Sequence, residues 1–212
     1  MSFVYFTAID PSIGKIDKSA LSQQTLMELF VDGITNKERF CGLAHHPRDL
    51  SEWRELYLND SGDVIKFDVF SYYLRGSIAL EWLPLSAQII NMRSNFLSGT
   101  LDLEHLPDGL TLLYLNSNQF VGSVCLTNLP ECLETLFLHD NRLEGAIDLT
   151  CLPKTLGNLD LRENRFVGET DFSRLPDALY RLNVSHTELS GEIRKSTTRC
   201  DTVIKSNVEV IG

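Results

Sequence analysis

Positive charge is in short supply in this 212-residue sequence: 19 Lys and Arg face 29 Asp and Glu, a formal net charge of -10. Sequence-independent nucleic-acid binding works by clustered Lys and Arg displacing phosphate counterions, so no nucleic-acid partner is expected. Long apolar runs are also missing. The longest, around residues 3–9, falls far short of the roughly 20 residues a membrane span needs, so no membrane association is expected. The five cysteines, at 41, 125, 132, 151 and 200, are odd in number and scattered, which does not make a disulfide framework. The opening Met1-Ser2-Phe3-Val4-Tyr5-Phe6 lacks the basic start of a secretory leader. Together these absences give the expectation of an intracellular, cytoplasmic protein with free thiols.

Chemistry-bearing motifs are equally sparse. Glycines recur singly and never cluster into a phosphate-cradling loop. No serine or cysteine stands beside a base in a recognisable nucleophile arrangement, so no catalytic residue is assigned and an enzyme would need chemistry the sequence does not display. Cys41, His45, His46 and Asp49 are metal-ligand residue types, but they lack the spaced Cys or His pairs of zinc modules. A surface loop explains them more simply. No metal and no cofactor is expected.

The abundant feature is periodicity. Proline follows leucine at Pro84, Pro107, Pro130, Pro153 and Pro176, each 23 residues after the last, and glycine keeps the same step through Gly76, Gly99, Gly122, Gly145, Gly168 and Gly191. A fixed period of this length means one supersecondary unit stacked on copies of itself. The unit that begins at Leu106-Pro107 carries Leu110, Leu113, Leu115, Asn118, Phe120, Gly122, Val124 and Leu126. The next carries Leu133, Leu136, Leu138, Asn141, Leu143, Gly145, Ile147 and Leu149. Leu113 and Leu115 alternate with Tyr114, a period of two, which predicts a short strand with its leucines inward. Asn95, Asn118, Asn141 and Asn164 are expected to form a ladder of buried amides serving backbone groups of neighbouring turns. The glycine permits a bend, and the alternation at Val124 and Leu126 predicts a second short strand there.

These residues resemble the leucine-rich repeat family, with its Leu-x-x-Leu-x-Leu-x-x-Asn-x-Leu segment, and the Gly-x-Ile-x-Leu continuation is similar to the plant-type class. The whole is similar to short leucine-rich repeat proteins of protozoa. The resemblance implies a leucine-rich repeat solenoid, α/β or mainly β. It would have a curved parallel β-sheet on the concave face, short strands and turns on the convex face, and an N-terminal helical cap. Residues 1–63 are read as the N-terminal region with that cap, 64–197 as six repeats, and 198–212 as a C-terminal cap or tail, all one structural domain. The outer repeats are degenerate, with Tyr72 and Thr187 in place of the ladder Asn. Residues 19–31 read as the capping helix, with Ser19 as N-cap and Gly33 as stop. The capping cysteines of the plant-type class are missing.

The solenoid expectation places a binding surface in columns. Between the inward leucines lie Asp68, Asn91, Tyr114, Phe137, Asp160 and Asn183. The next column holds Phe70, Arg93, Asn116, His139, Arg162 and Ser185, followed by Ser71, Ser94, Ser117, Asp140, Glu163 and His186. Tyr114 and Phe137 stand side by side, with Ile89 and Leu112 extending the apolar patch, and Arg93, His139, Asp160 and Arg162 flanking it. Rigid aromatics with arginine nearby have the composition of an interface hot spot. The predicted function is a non-catalytic protein or peptide interaction module using Arg93, Tyr114, Phe137, His139, Asp160 and Arg162. The alternative is a structural or self-associating scaffold, a homodimer for instance, that uses the stack ends or the tail. Six strands at about 4.8 Å span only about 24 Å, which suits a peptide or helix better than a full protein interface. The acidic column Asp102, Asp148 and Asp171 is read as a solvated face.

Overall fold

Each turn of the chain begins with an alternating segment whose inward residues, such as Leu113 and Leu115, Leu136 and Leu138, and Leu159 and Leu161, are fully buried. Alternation makes these segments strands, and the 23-residue step sets each beside its copy. The computed structural model describes residues 17–43, 46–194 and 207–211. In it, Val64–Asp68, Ile89–Asn91, Leu112–Tyr114, Thr135–Phe137, Asn158–Asp160 and Arg181–Asn183 run parallel in one sheet, in that order. A seventh strand, Leu56–Leu58, lies antiparallel to Val64–Asp68 at the N-terminal edge. The sequence columns did not include it. Its turn is built by Asn59, whose Oδ1 accepts from the Ser61 and Asp63 amides, both at 2.9 Å. The fold is a leucine-rich repeat solenoid with a parallel concave sheet.

The second strand of each repeat differs from expectation. It lies on the Asn-to-Gly segment, as in Gln119–Gly122 and Arg142–Gly145, and not at Val124-x-Leu126. The Asn ladder is the reason. Asn118 Oδ1 accepts from Leu97 N, and Asn141 Oδ1 from Phe120 N, both at 3.0 Å, which locks adjacent turns in register at this point. Glycine then turns the chain with φ of 81° at Gly122, a value costly for other residues. Val124 and Leu126 remain buried as the chain rounds the corner. The seven strands of this second sheet are all parallel, and the last, Asn207–Ile211, is contributed by the tail and pairs with Glu188–Arg194.

At the N-terminal end the helix is shorter than residues 19–31. It spans Gln23–Phe30, and its N-cap is Ser22, whose side chain accepts from Thr25 N. Ser19 belongs to a preceding single turn, Lys18–Ala20, capped by Asp17. Asp17 wins because its carboxylate takes both the Ser19 amide and hydroxyl, at 2.9 and 2.7 Å. Gly33 lies past the helix, against the backbone of Ser77, where a Cβ would come within 2.7 Å of the Ser77 carbonyl oxygen. This close approach lets Thr35 N bond Arg75 O at 2.9 Å and Ser77 N bond Gly33 O at 3.0 Å, so the cap is stitched to the edge of the second sheet.

The first leucine layer is closed by aromatics. Phe40 packs edge-on against Phe67 with centroids 5.2 Å apart, and Trp53 and Phe30 complete the cluster. Burying four large rings removes the layer from water without a covalent clamp. Among the described residues Cys41, Cys125, Cys132 and Cys151 are free thiols.

Candidate functional site on the concave face

Strand register sets the central column side by side: Asn91 against Tyr114, Tyr114 against Phe137, Phe137 against Asp160, and Asp160 against Asn183. Tyr114 and Phe137 are half-buried, with ring centroids 5.3 Å apart in an edge-on pair, and Phe137 meets the His139 ring at 5.6 Å. Half-buried Ile89 and Leu112 border them. The middle of the face is thus apolar and firmly packed, and burial raises the Tyr114 phenol above its ordinary value.

Beyond Phe137 the face becomes ionic. Asp160 is only 1% exposed. Its Oδ2 lies 3.6 Å from His139 Nδ1, 3.6 Å from Arg162 Nε and 3.8 Å from Arg181 Nη2, while Oδ1 accepts from the Arg162 amide at 3.3 Å. These side-chain separations exceed ordinary hydrogen-bond lengths, so the carboxylate attracts its neighbours without fixing their donors. Burial pushes the His139 pKa down, and the Asp160 carboxylate opposes that shift in part. His139 Nδ1 and Asn116 Oδ1, in adjacent repeats of one column, are buried with no hydrogen-bond partner among the described residues. Such atoms are uncommon, because an unmet buried polar group is costly.

Five of the six residues singled out from the sequence, Tyr114, Phe137, His139, Asp160 and Arg162, form one contiguous group. Arg93 lies on the other side of Tyr114, its guanidinium carbon 4.3 Å from the ring centroid of Phe70. Asp160, expected as an exposed side chain, is instead the buried centre of the ionic group. Arg181 was missed, and Asn116, placed in the column of His139, was not singled out. Arg181 occupies the column of Ile89 and Leu112, so extending that column by further steps of 23 residues would have found it. The third column, Ser71 to His186, lies on the bend: each residue has a left-handed φ between 52° and 59°. Asp102, Asp148 and Asp171 serve as turn formers, accepting backbone amides two residues on at 2.8–2.9 Å.

The Cys41 loop places its groups apart in function. Gly42–Leu43 and His46–Pro47 pair as a short hairpin, the Cys41 thiol donates to Lys37 O at 3.1 Å, and Asp49 caps the turn Leu50–Glu52. His45 lies outside the described residues. Among those described, no group of three or more His, Cys, Asp or Glu is arranged to hold a metal ion. A hollow of about 760 Å³ beside this loop is lined by Val31, Ile34, Cys41, Leu43 and Trp53, away from the concave columns. Among the described residues no helix is long and apolar enough to cross a membrane.

No family profile and no curated protein sequence matches the chain. Solved structures do. A Pollen Receptor Kinase 3 is 22% identical with a TM-score of 0.66, over 89% of this chain and 96% of that one. The LRR ectodomain of the receptor kinase SOBIR1 from Arabidopsis thaliana is 21% identical with a TM-score of 0.63, over 80% and 95%. The BIR2 ectodomain from Arabidopsis thaliana is 21% identical with a TM-score of 0.56, over 70% and 83%. The likeness establishes the repeat fold. It also corrects the expectation of an intracellular, cytoplasmic protein, because the similar structures include receptor ectodomains. That expectation rested on the missing basic start, with the scattered cysteines as weaker support; this solenoid closes its N-terminal layer with Phe30, Phe40, Trp53 and Phe67, so free thiols among the described residues carry no information about the compartment.

Proposed function

We propose that the protein is a non-catalytic interaction module that binds an extended peptide, or a projecting segment of a protein, across its concave sheet. The observation that carries this reading is the half-buried Tyr114 and Phe137 pair, bordered by half-buried Ile89 and Leu112 and flanked by the accessible arginines Arg93 and Arg162. An apolar shelf with guanidinium groups at its margin offers affinity from the rings and orientation from the charged donors. The repeat fold of receptor-kinase ectodomains is compatible with such a role, and no nucleophile and base arrangement argues for chemistry.

The test is a capture experiment with wild-type protein, a Tyr114→Ala/Phe137→Ala variant and a Tyr73→Ala/Phe96→Ala variant. Tyr73 and Phe96 are an exposed stacked pair outside the concave columns and control for lost aromatic surface. A partner retained by the wild type and the control but lost by the concave variant supports the reading. Equal capture by all three removes it.

A second reading, self-association through the stack ends, has one observation in its favour. The tail strand Asn207–Ile211 ends the second sheet, and a terminal strand is where sheets extend into another chain. A solution mass of one chain at high concentration would dismiss it.

A further inference from the structure

We infer that the ionic half of the concave face is an anion-reading subsite: Arg162 and Arg181 together take a carboxylate-class group of the partner, next to the apolar residue held by Tyr114 and Phe137. The inference rests on the concave-binding reading and specifies the partner's chemistry.

Asp160 is the anchor. It is the buried member of the group, whereas the side chains of Arg162 and Arg181 are 41% and 49% exposed. Arg162 follows Asp160 by two residues on one flank of the central column, and Arg181 approaches from the other flank on the neighbouring strand. Both guanidinium groups therefore converge over one point of the sheet. A guanidinium offers five N–H donors, and among the described residues neither side chain makes a hydrogen bond within 3.5 Å; each is held by charge at 3.6–3.8 Å. Donors gathered around one buried carboxylate and not consumed internally are available for bidentate recognition of an oxyanion.

Charge balance points the same way. Two arginines face one carboxylate, while His139 is kept toward neutrality by burial. Asp140 and Glu163 stand on the bend beyond them, Glu163 at 3.7 Å from His186. At this point of the sheet the two guanidinium groups outnumber the one buried carboxylate, which suits a single oxyanion, whereas a chain of net charge -10 disfavours polyanions such as nucleic acid. Spacing adds a register. From the middle of the Tyr114 and Phe137 pair to Asp160 is one and a half strand spacings, about 7 Å, close to the i to i+2 repeat of an extended peptide. The preferred partner segment reads apolar, any residue, acidic. A side-chain carboxylate and a free chain terminus supply the same chemistry.

The probes are acetyl-Leu-Gly-Glu-Gly-amide, its Gln counterpart, and acetyl-Leu-Gly-Gly with a free carboxylate, titrated while the arginine Nε–H and aromatic resonances are followed by NMR. The Glu peptide is expected to shift both arginines and to bind about fivefold more tightly than the Gln peptide, an advantage lost in a folded Arg181→Gln variant. A free-carboxylate peptide that matches the Glu peptide supports the subsite and names the terminus as its source. If Glu and Gln peptides shift the rings equally and leave the arginines unmoved, the anion subsite is wrong while concave binding stands. If no peptide shifts rings or arginines, both fall.

Discussion

The imidazole of His139 lies between opposing influences, burial disfavouring its charged form and the Asp160 carboxylate 3.6 Å away favouring it, and burial is the larger. Arg162 and Arg181 oppose protonation as well, while Asp140 assists it. Replacing Asp160 by Asn removes the main group that favours imidazolium and keeps the side-chain shape. The His139 pKa is therefore expected to move further below its ordinary value of about 6.5 in Asp160→Asn, as read from the ring resonances in a pH titration. An unchanged or raised value would show that Asp160 does not act on His139. The lowered pKa also fixes a sign for stability. As pH falls through about 6.5 the unfolded chain takes up the proton first, so stability present above that pH is lost on the way down to the folded pKa.

At the scale of the repeat, the asparagine ladder was legible because its spacing is part of the period. Asn164 is 8% exposed; its Nδ2 donates to the carbonyls of Leu138, Leu161 and Arg162, and its Oδ1 accepts from Leu143 N. Asn164→Ala leaves an amide and several carbonyls of two turns without partners. A loss of about 2–3 kcal/mol is expected in urea unfolding. The corresponding residue of the last repeat, Thr187, makes a single bond from Oγ1 to Val184 O, and Thr187→Ala should cost only about 1 kcal/mol. Equal losses at the two sites would mean the ladder is not the main support of the central turns. What the period could not reveal lies outside it. Asn36, in the cap, accepts from Arg75 N and donates to Tyr73 O, serving the first repeat where Tyr72 replaces the ladder residue. Nothing in a 23-residue pattern points to a residue in the preceding region. The columns likewise gave the neighbours of Tyr114 and Phe137 correctly but not side-chain reach, so the burial of Asp160 under its long neighbours emerged only in three dimensions.

For the whole molecule, Asp148 and Asp171, read from the sequence with Asp102 as a solvated face, belong to a wider set of turn formers. Asp17, Asp49, Asp148 and Asp171 each accept a backbone amide two residues on, and hydroxyls of Ser19, Ser51 and Thr150 join three of them. Side-chain and then backbone hydrogen bonds, through Ser19, Ser51, Thr150 and Ser173 respectively, hold all four pKa values below the ordinary carboxyl range. The sign follows from linkage: stability from a depressed carboxyl is present above its unfolded value of about 3.9 and is lost as pH falls through the lower folded value. Two of these turns belong to the N-terminal cap and two to the central and later repeats, so acid should loosen both regions together. Protonation also relieves the repulsion of a chain with net charge -10, which works in the opposite direction. A variant separates the two effects. Asp148→Asn/Asp171→Asn keeps an oxygen acceptor in each turn but no longer titrates, so its thermal midpoint should fall less than that of the wild type between pH 5 and about pH 3. Parallel curves for the two proteins would assign the acid limb to other carboxylates and return these aspartates to a purely solvating role.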